Sequence, residues 1–166
     1  GGGGWGGGGG GGGPMGVSLM DQGPAGYIRT GIMARDLDHP PLGRPLMWVA
    51  GSRKEFVSLP LPVRRKFGLA LGLAQRGSRH AAAKALRGFE GGGVIELLAD
   101  DVGGTYRAVY TVRFEVAVFV LLVFQKKSKR GIETPLSVVR LIHQRLKAAG
   151  KMAQELRDAK AANHRH

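Results

Sequence analysis

Positively charged side chains collect around one end of an apolar region in the second half of the chain. Arg107 lies in a segment of alternating polar and apolar residues, 105–113, and the apolar run 116–124 leads into Lys126, Lys127, Lys129 and Arg130. Guanidinium and ammonium groups held close together suit a phosphodiester, because cleavage raises the negative charge on the phosphate in the transition state. These residue types therefore predict phosphate binding, or phosphodiester cleavage, at this end of the region.

Glu96 is the carboxylate in the neighbouring apolar segment, between Ile95 and Leu97. It would act as a general base if its side chain faced a pocket. The same position also fits an ion pair with Arg107, since a carboxylate beside an arginine ionises without taking part in chemistry. Both interpretations are open, and the candidate catalytic residues are Arg107, Lys127 and Glu96.

Three consecutive strands would position these residues. Segments 94–99, 105–113 and 116–127 are rich in β-branched and aromatic residues, and residues 100–104 have the composition of a hairpin turn. Antiparallel pairing brings the start of the second strand, with Arg107, to the end of the third. Because alternate residues share a face, Arg107 and Arg113 lie on the same side of the sheet. We assign RNA or phosphate binding to Lys126, Lys129, Arg130 and Arg113.

The segment before these strands predicts a short strand and two helices. Residues 46–50 read as the strand, and Ser52 with Glu55 has the S-x-x-E spacing of a capping box that opens a helix. Two prolines, Pro60 and Pro62, interrupt this helix. A second helix follows, with an apolar face and a glycine stop at Gly77, formed by Val63, Phe67, Ala70, Leu71 and Ala74.

The segment after the strands predicts one long helix. Thr134 fits the N-cap and Pro135 the first helical position, and the apolar face is Val138, Leu141, Ile142, Leu146 and Ala149. The predicted fold is therefore a small α+β domain. Its antiparallel sheet combines the N-terminal strand with the three-stranded meander, packed with two N-terminal helices and one C-terminal helix.

Composition divides the chain into three parts. Residues 1–45 form a Gly/Pro-rich extension that we expect to be disordered, because glycine offers little surface to bury; a start codon assigned too far upstream would also produce it. Residues 46–150 form the folded domain, and residues 151–166 a polar helical or frayed tail.

Charge and cysteine content restrict the class of protein. The 166 residues carry a formal net charge of +13, which favours a polyanion or an acidic protein as partner. The absence of cysteine excludes disulfides, thiol nucleophiles and cysteine-based zinc sites. No apolar run approaches the roughly 20 residues of a membrane-spanning helix. We expect a soluble cytoplasmic protein with no cofactor, metal or membrane partner.

The order of elements, together with three short motifs, resembles the RelE/ParE superfamily of toxins, and within it the HigB-like, phage-derived branch. The motifs are Trp48-Val49 in the first strand, Tyr106-Arg107-Ala108-Val109-Tyr110 in the middle strand, and Phe124-Gln125-Lys126-Lys127-Ser128 at the end of the last strand. The resemblance covers roughly residues 46–150. It implies the RelE-like fold and the toxin of a type II toxin–antitoxin pair.

For the RelE and HigB branches, the resemblance implies a ribosome-dependent endoribonuclease that cuts messenger RNA and inhibits translation. The 2′-hydroxyl attacks the neighbouring phosphate, which requires a base, an acid and a positive clamp. Arg107 matches the arginine on the scissile phosphate, and Lys127 falls near a second basic position. The implied partners are the ribosome, messenger RNA and an acidic helix-turn-helix antitoxin.

Two departures from the family pattern leave other functions open. RelE has a lysine where this chain has Glu96, and a late tyrosine where this chain has Ile132 or no match, so the acid and base are unassigned. One alternative is a ParE-like toxin that inhibits DNA gyrase by binding. Another is a basic nucleic-acid-binding module without toxicity.

Overall fold

Three helices pack against a single mixed sheet. The structure is a computed structural model and describes residues 28–29, 43–126 and 134–165. Its elements are β1 (Ile28–Arg29), β2 (Leu46–Trp48), α1 (Ser52–Val57), α2 (Leu61–Gln75), β3 (Ala83–Ala85), β4 (Val94–Asp101), β5 (Gly104–Thr111), β6 (Val118–Lys126) and α3 (Leu136–Asn163). The strand order is β1-β2-β6-β5-β4-β3. The prediction of a small α+β domain is confirmed.

The meander β4-β5-β6 is antiparallel as predicted. β6 lies in the middle of the sheet and is covered on both faces, which explains why its apolar run shows no alternation. Its pairing with β5 contains a bulge: Val109 pairs with Leu122 and Tyr110 with Val120, so Leu121 is the extra residue.

The prediction of an antiparallel sheet is wrong for the N-terminal strand, because β2 pairs with β6 in parallel. The residue pattern identifies strands but not their direction, which depends on how many times the intervening chain reverses. The pattern also missed β3, whose sequence Ala-Lys-Ala has little strand propensity and which forms by pairing with β4. Within the predicted N-terminal extension, Ile28–Arg29 pairs with β2; the rest of residues 1–42 lies outside the described chain.

Two apolar layers enclose the sheet. α1 and α2 cover one face, where the predicted apolar residues of α2 are buried together with Trp48, Tyr110 and Val120. α3 covers the other face, where Ile142 and Ala149 pack near Phe119 and Leu121. α3 continues through Gly150 to Asn163, so most of the predicted tail is helical. None of the described helices combines the length and apolar character needed to cross a membrane.

Two predicted helix caps are wrong. Gly51, not Ser52, is the N-cap of α1, and Pro135, not Thr134, is the N-cap of α3; neither makes a side-chain capping bond. Glu55, the second member of the predicted capping box, bonds to β6 instead, and Thr134 accepts a bond from Arg107. The stop of α2 before Gly77 is confirmed, with Gly77 at a φ of +80°.

Glu55 and Arg145 connect α1, β6 and α3. β2 ends at Trp48, so among the described residues no strand pairs with the later part of β6 on that side. There the Glu55 carboxylate accepts a bond from the Val123 N–H at 2.9 Å, and Arg145 donates to both Glu55 oxygens at 2.8 and 3.1 Å. Arg145 also donates to the Leu121 carbonyl at 2.9 Å. The pair therefore satisfies the open edge of β6 at its bulge.

Replacing Arg145 by Ala should lower the free energy of unfolding by about 3 kcal/mol, because Glu55 and the Leu121 carbonyl lose their donor in a largely buried place. Urea unfolding followed by circular dichroism measures this. Arg140, exposed on the same helix, is the matched control. Its replacement by Ala should change the free energy by less than about 0.5 kcal/mol; equal losses in both variants would contradict the assigned role of Arg145.

Candidate functional site

Arg107 and Glu96 form a buried ion pair on the sheet face that α3 covers. Arg107 pairs in register with Leu98 across from it, which places Glu96 diagonally opposite on the same face. The Arg107 Nη1 lies 3.3 Å from the Glu96 Oε1, and the two side chains are 6% and 17% exposed. Of the two sequence interpretations of Glu96, the ion pair is therefore the one the structure contains.

The Arg107 guanidinium has an incomplete set of partners. Besides Glu96, its Nη1 donates to the Thr134 Oγ1 at 3.1 Å. Its Nε is buried and has no hydrogen-bond partner among the residues that the structure describes. A buried donor that lacks a partner costs stability, so an acceptor bound at this Nε would recover that cost.

Lys126 lies at the same end of the sheet as Arg107. Thr105 pairs with Lys126, and Arg107 pairs with Phe124, so both cations belong to the same face, two residues apart along the register. The structure therefore pairs Arg107 with Glu96 and places Lys126 on the same face, nearer the end of the sheet. The other cations predicted here, Lys127, Lys129 and Arg130, lie outside the described residues.

Arg113 lies at the far end of the middle strand, six residues beyond Arg107 and so about 20 Å away along an extended chain. Its Nη2 donates to the backbone carbonyls of Glu90 at 2.7 Å and Gly92 at 3.3 Å. Arg113 therefore anchors the loop that precedes β4, and the structure does not bring it to the cationic end of the sheet.

A cleft of about 320 Å³ opens at the same end of the sheet, on the face that carries α1. Tyr106, Glu55 and Ser58 line it. The carboxylate of Glu55 is already bonded to Arg145 and to β6, and the Ser58 hydroxyl donates to the Glu55 carbonyl. The Tyr106 side chain reaches the β4–β5 turn, because a Cβ on Gly103 would lie 2.8 Å from its hydroxyl.

Tyr106 is a polar residue that sequence reasoning missed. It is 8% exposed, and its hydroxyl lies at the β4–β5 turn. Because adjacent residues of a strand point to opposite faces, Tyr106 lies on the other side of the sheet from Arg107 and Glu96. Tyr110, on the same strand, is a core residue: burial raises the pKa of its phenol, and the charge of Arg79 partly opposes this.

Metal binding has no support in the part of the chain that the structure describes. There, no group of three or more His, Asp or Glu side chains is close enough to hold an ion. The chemistry available on the face that carries Arg107 is therefore that of cations and one carboxylate.

The family model for the phage-derived protein Gp49-like (DUF891) matches residues 54–147. The chain belongs to this family. The Gp49-like family is known as a toxin-like module of the HigB/RelE type. The matched region contains the Glu96–Arg107 pair, Tyr106 and the whole meander. None of the curated proteins matches the chain.

A double replacement tests how the ion pair contributes to the free energy of unfolding. Arg107→Ala alone should lower the free energy of unfolding by about 3 kcal/mol, because it leaves the Glu96 carboxylate half-buried and unpaired. Glu96→Leu combined with Arg107→Met should stay within about 1 kcal/mol of the parent, since apolar side chains of similar volume replace both charges. Urea unfolding of the three proteins measures this, and a double variant as unstable as the single one would contradict the assignment.

Proposed function

We propose that this Gp49-like protein is the toxin of a type II toxin–antitoxin pair and a ribosome-dependent endoribonuclease of the RelE/HigB kind. The single observation that carries the site is the buried guanidinium of Arg107. Its Nε has no partner among the described residues, and it shares a sheet face with Lys126. Family membership supports the toxin class. In this proposal the antitoxin is an acidic helix-turn-helix protein, and the substrate is messenger RNA on the ribosome.

Arg107 would exchange Glu96 for the scissile phosphate when RNA binds. The phosphate carries more charge in the transition state than in the ground state, so a guanidinium fork stabilises the transition state more. Lys126 would hold the RNA backbone through contacts that do not depend on base identity. The cations that follow it in the sequence, Lys127, Lys129 and Arg130, would do the same. Glu96, once released from Arg107, is the candidate base.

A second candidate function is inhibition of DNA gyrase by binding, as in ParE-like toxins. The ion pair favours it, because an arginine held by Glu96 at 3.3 Å is not free for phosphate until that contact breaks. This mode needs no acid or base and would use the cationic surface as an interface.

Induced expression of the full chain in a bacterial host should arrest growth, and new 5′ ends should appear inside translated messages, because a ribosome-dependent nuclease cuts only frames that are being read. Growth and message ends, mapped by primer extension, are followed in the same culture. Arrest with intact messages would move the assignment to the gyrase-type function. Unimpaired growth at a confirmed level of folded protein would contradict the toxin assignment.

A further inference from the structure

The outward face of α2 is apolar and flat at its centre. One stripe along the helix, at helical spacing, consists of Leu61, Arg65, Gly68, Gly72 and Arg76. Leu69 lies beside this stripe. Leu61 is 49% exposed and Leu69 is 58% exposed, which is unusual for leucines on a helix whose other side fills the core. We call this surface, residues 61, 65, 68, 69, 72 and 76, the α2 outer face.

No contact within the described chain requires glycine at either of the two glycine positions of the α2 outer face. A Cβ built on Gly68 or on Gly72 meets no atom within 4 Å. Glycine is the weakest helix former after proline, so alanine at either position would fit and would favour the helix. A flat surface made by glycine allows a partner backbone to approach closely, and the adjoining leucines supply the apolar contact.

The chain segment that carries this face is charged with one sign. Residues 56–89 contain no Asp or Glu, and they contain the cations Arg64, Arg65, Lys66, Arg76, Arg79, Lys84 and Arg87. Arg65 and Arg76 are exposed at opposite ends of the glycine pair. A partner with carboxylates flanking an apolar stripe would therefore match both the centre and the rim of the surface.

We propose that the α2 outer face is a docking site for an amphipathic helix of a partner protein, with small and aliphatic residues along the contact and Asp or Glu on either side. A second copy of this chain fits less well, because antiparallel packing of two such helices would bring Arg65 of one near Arg76 of the other. A nucleic acid would leave the exposed leucines without a partner. The inference rests on the proposed function only for identifying this partner with the antitoxin.

Titration of the isotopically labelled full chain with a synthetic helix tests the proposal. The probe is a peptide of about 18 residues, long enough to span α2, with a Leu/Ala stripe flanked by Glu. Amide signals of the α2 outer face should shift and saturate. Absence of saturable binding, or shifts centred on Lys126, would overturn the proposal. A control peptide with Ser replacing Leu should not bind; equal binding would show attraction by charge alone and would also overturn it.

Three variants define the contact. Leu69→Asp should weaken peptide binding at least about tenfold, whereas Val102→Asp, which changes a fully exposed residue in the β4–β5 turn, should leave it within about twofold. Gly72→Ala should raise the melting temperature and yet weaken binding, because its methyl group holds the partner backbone away. A variant that gained stability and kept its affinity would contradict close approach at this glycine.

Two further experiments test the other occupants of this face, an RNA and a second copy of the chain, and neither experiment depends on toxicity. A single-stranded RNA oligonucleotide that shifted the same amides more tightly than the peptide would overturn the proposal in favour of a nucleic-acid surface. A dimer in sedimentation, lost in Leu69→Asp, would overturn it in favour of self-association. If peptide binding held while expression failed to arrest growth, the docking site would stand and the toxin function would not.

Discussion

The fold depends on how the outer edge of β6 is satisfied beyond the short strand β2. The Val123 N–H and the Leu121 carbonyl face no strand there, and each would cost about 1–3 kcal/mol if left unpaired in the interior. Glu55 from one side of the sheet and Arg145 from the other bond to them and to each other. One polar cluster therefore joins both helical layers to the central strand and fixes α3 over the face that carries Arg107.

Several arginines of this basic chain serve the fold. Arg44 donates to the carbonyls of Val112 and Phe114 and to Ala74 near the end of α2, and thereby ties that helix to the segment after β5. Arg113 and Arg145 also bond to backbone carbonyls. The net charge of +13 therefore overstates the charge available to partners. Other cations belong to the segment of α2 and β3, and a further group follows β6 in the sequence. These two regions carry the two proposals.

Much of the fold could be predicted from the sequence because its signals are local. The meander follows from residue type and turn composition, and the apolar faces of α2 and α3 follow from spacing. The direction of β2, the strand β3 and the bulge at Leu121 depend on pairing between distant segments, which no local pattern encodes. The same holds for the site: strand alternation placed Arg107 near Glu96, but it could not show that the pair is largely buried or that Thr134 bonds to Arg107.

The central claim is that Arg107 leaves Glu96 to stabilise a phosphate during RNA cleavage. The most direct measurement is cleavage of a ribosome-bound message by the purified Glu96→Leu, Arg107→Met protein, compared with the parent at equal folded concentration. The account predicts a loss of at least about a hundredfold in the cleavage rate, because the variant lacks both the charge that stabilises the transition state and the candidate base. Cleavage at the parental rate would contradict it and leave Arg107 as a structural residue of the sheet.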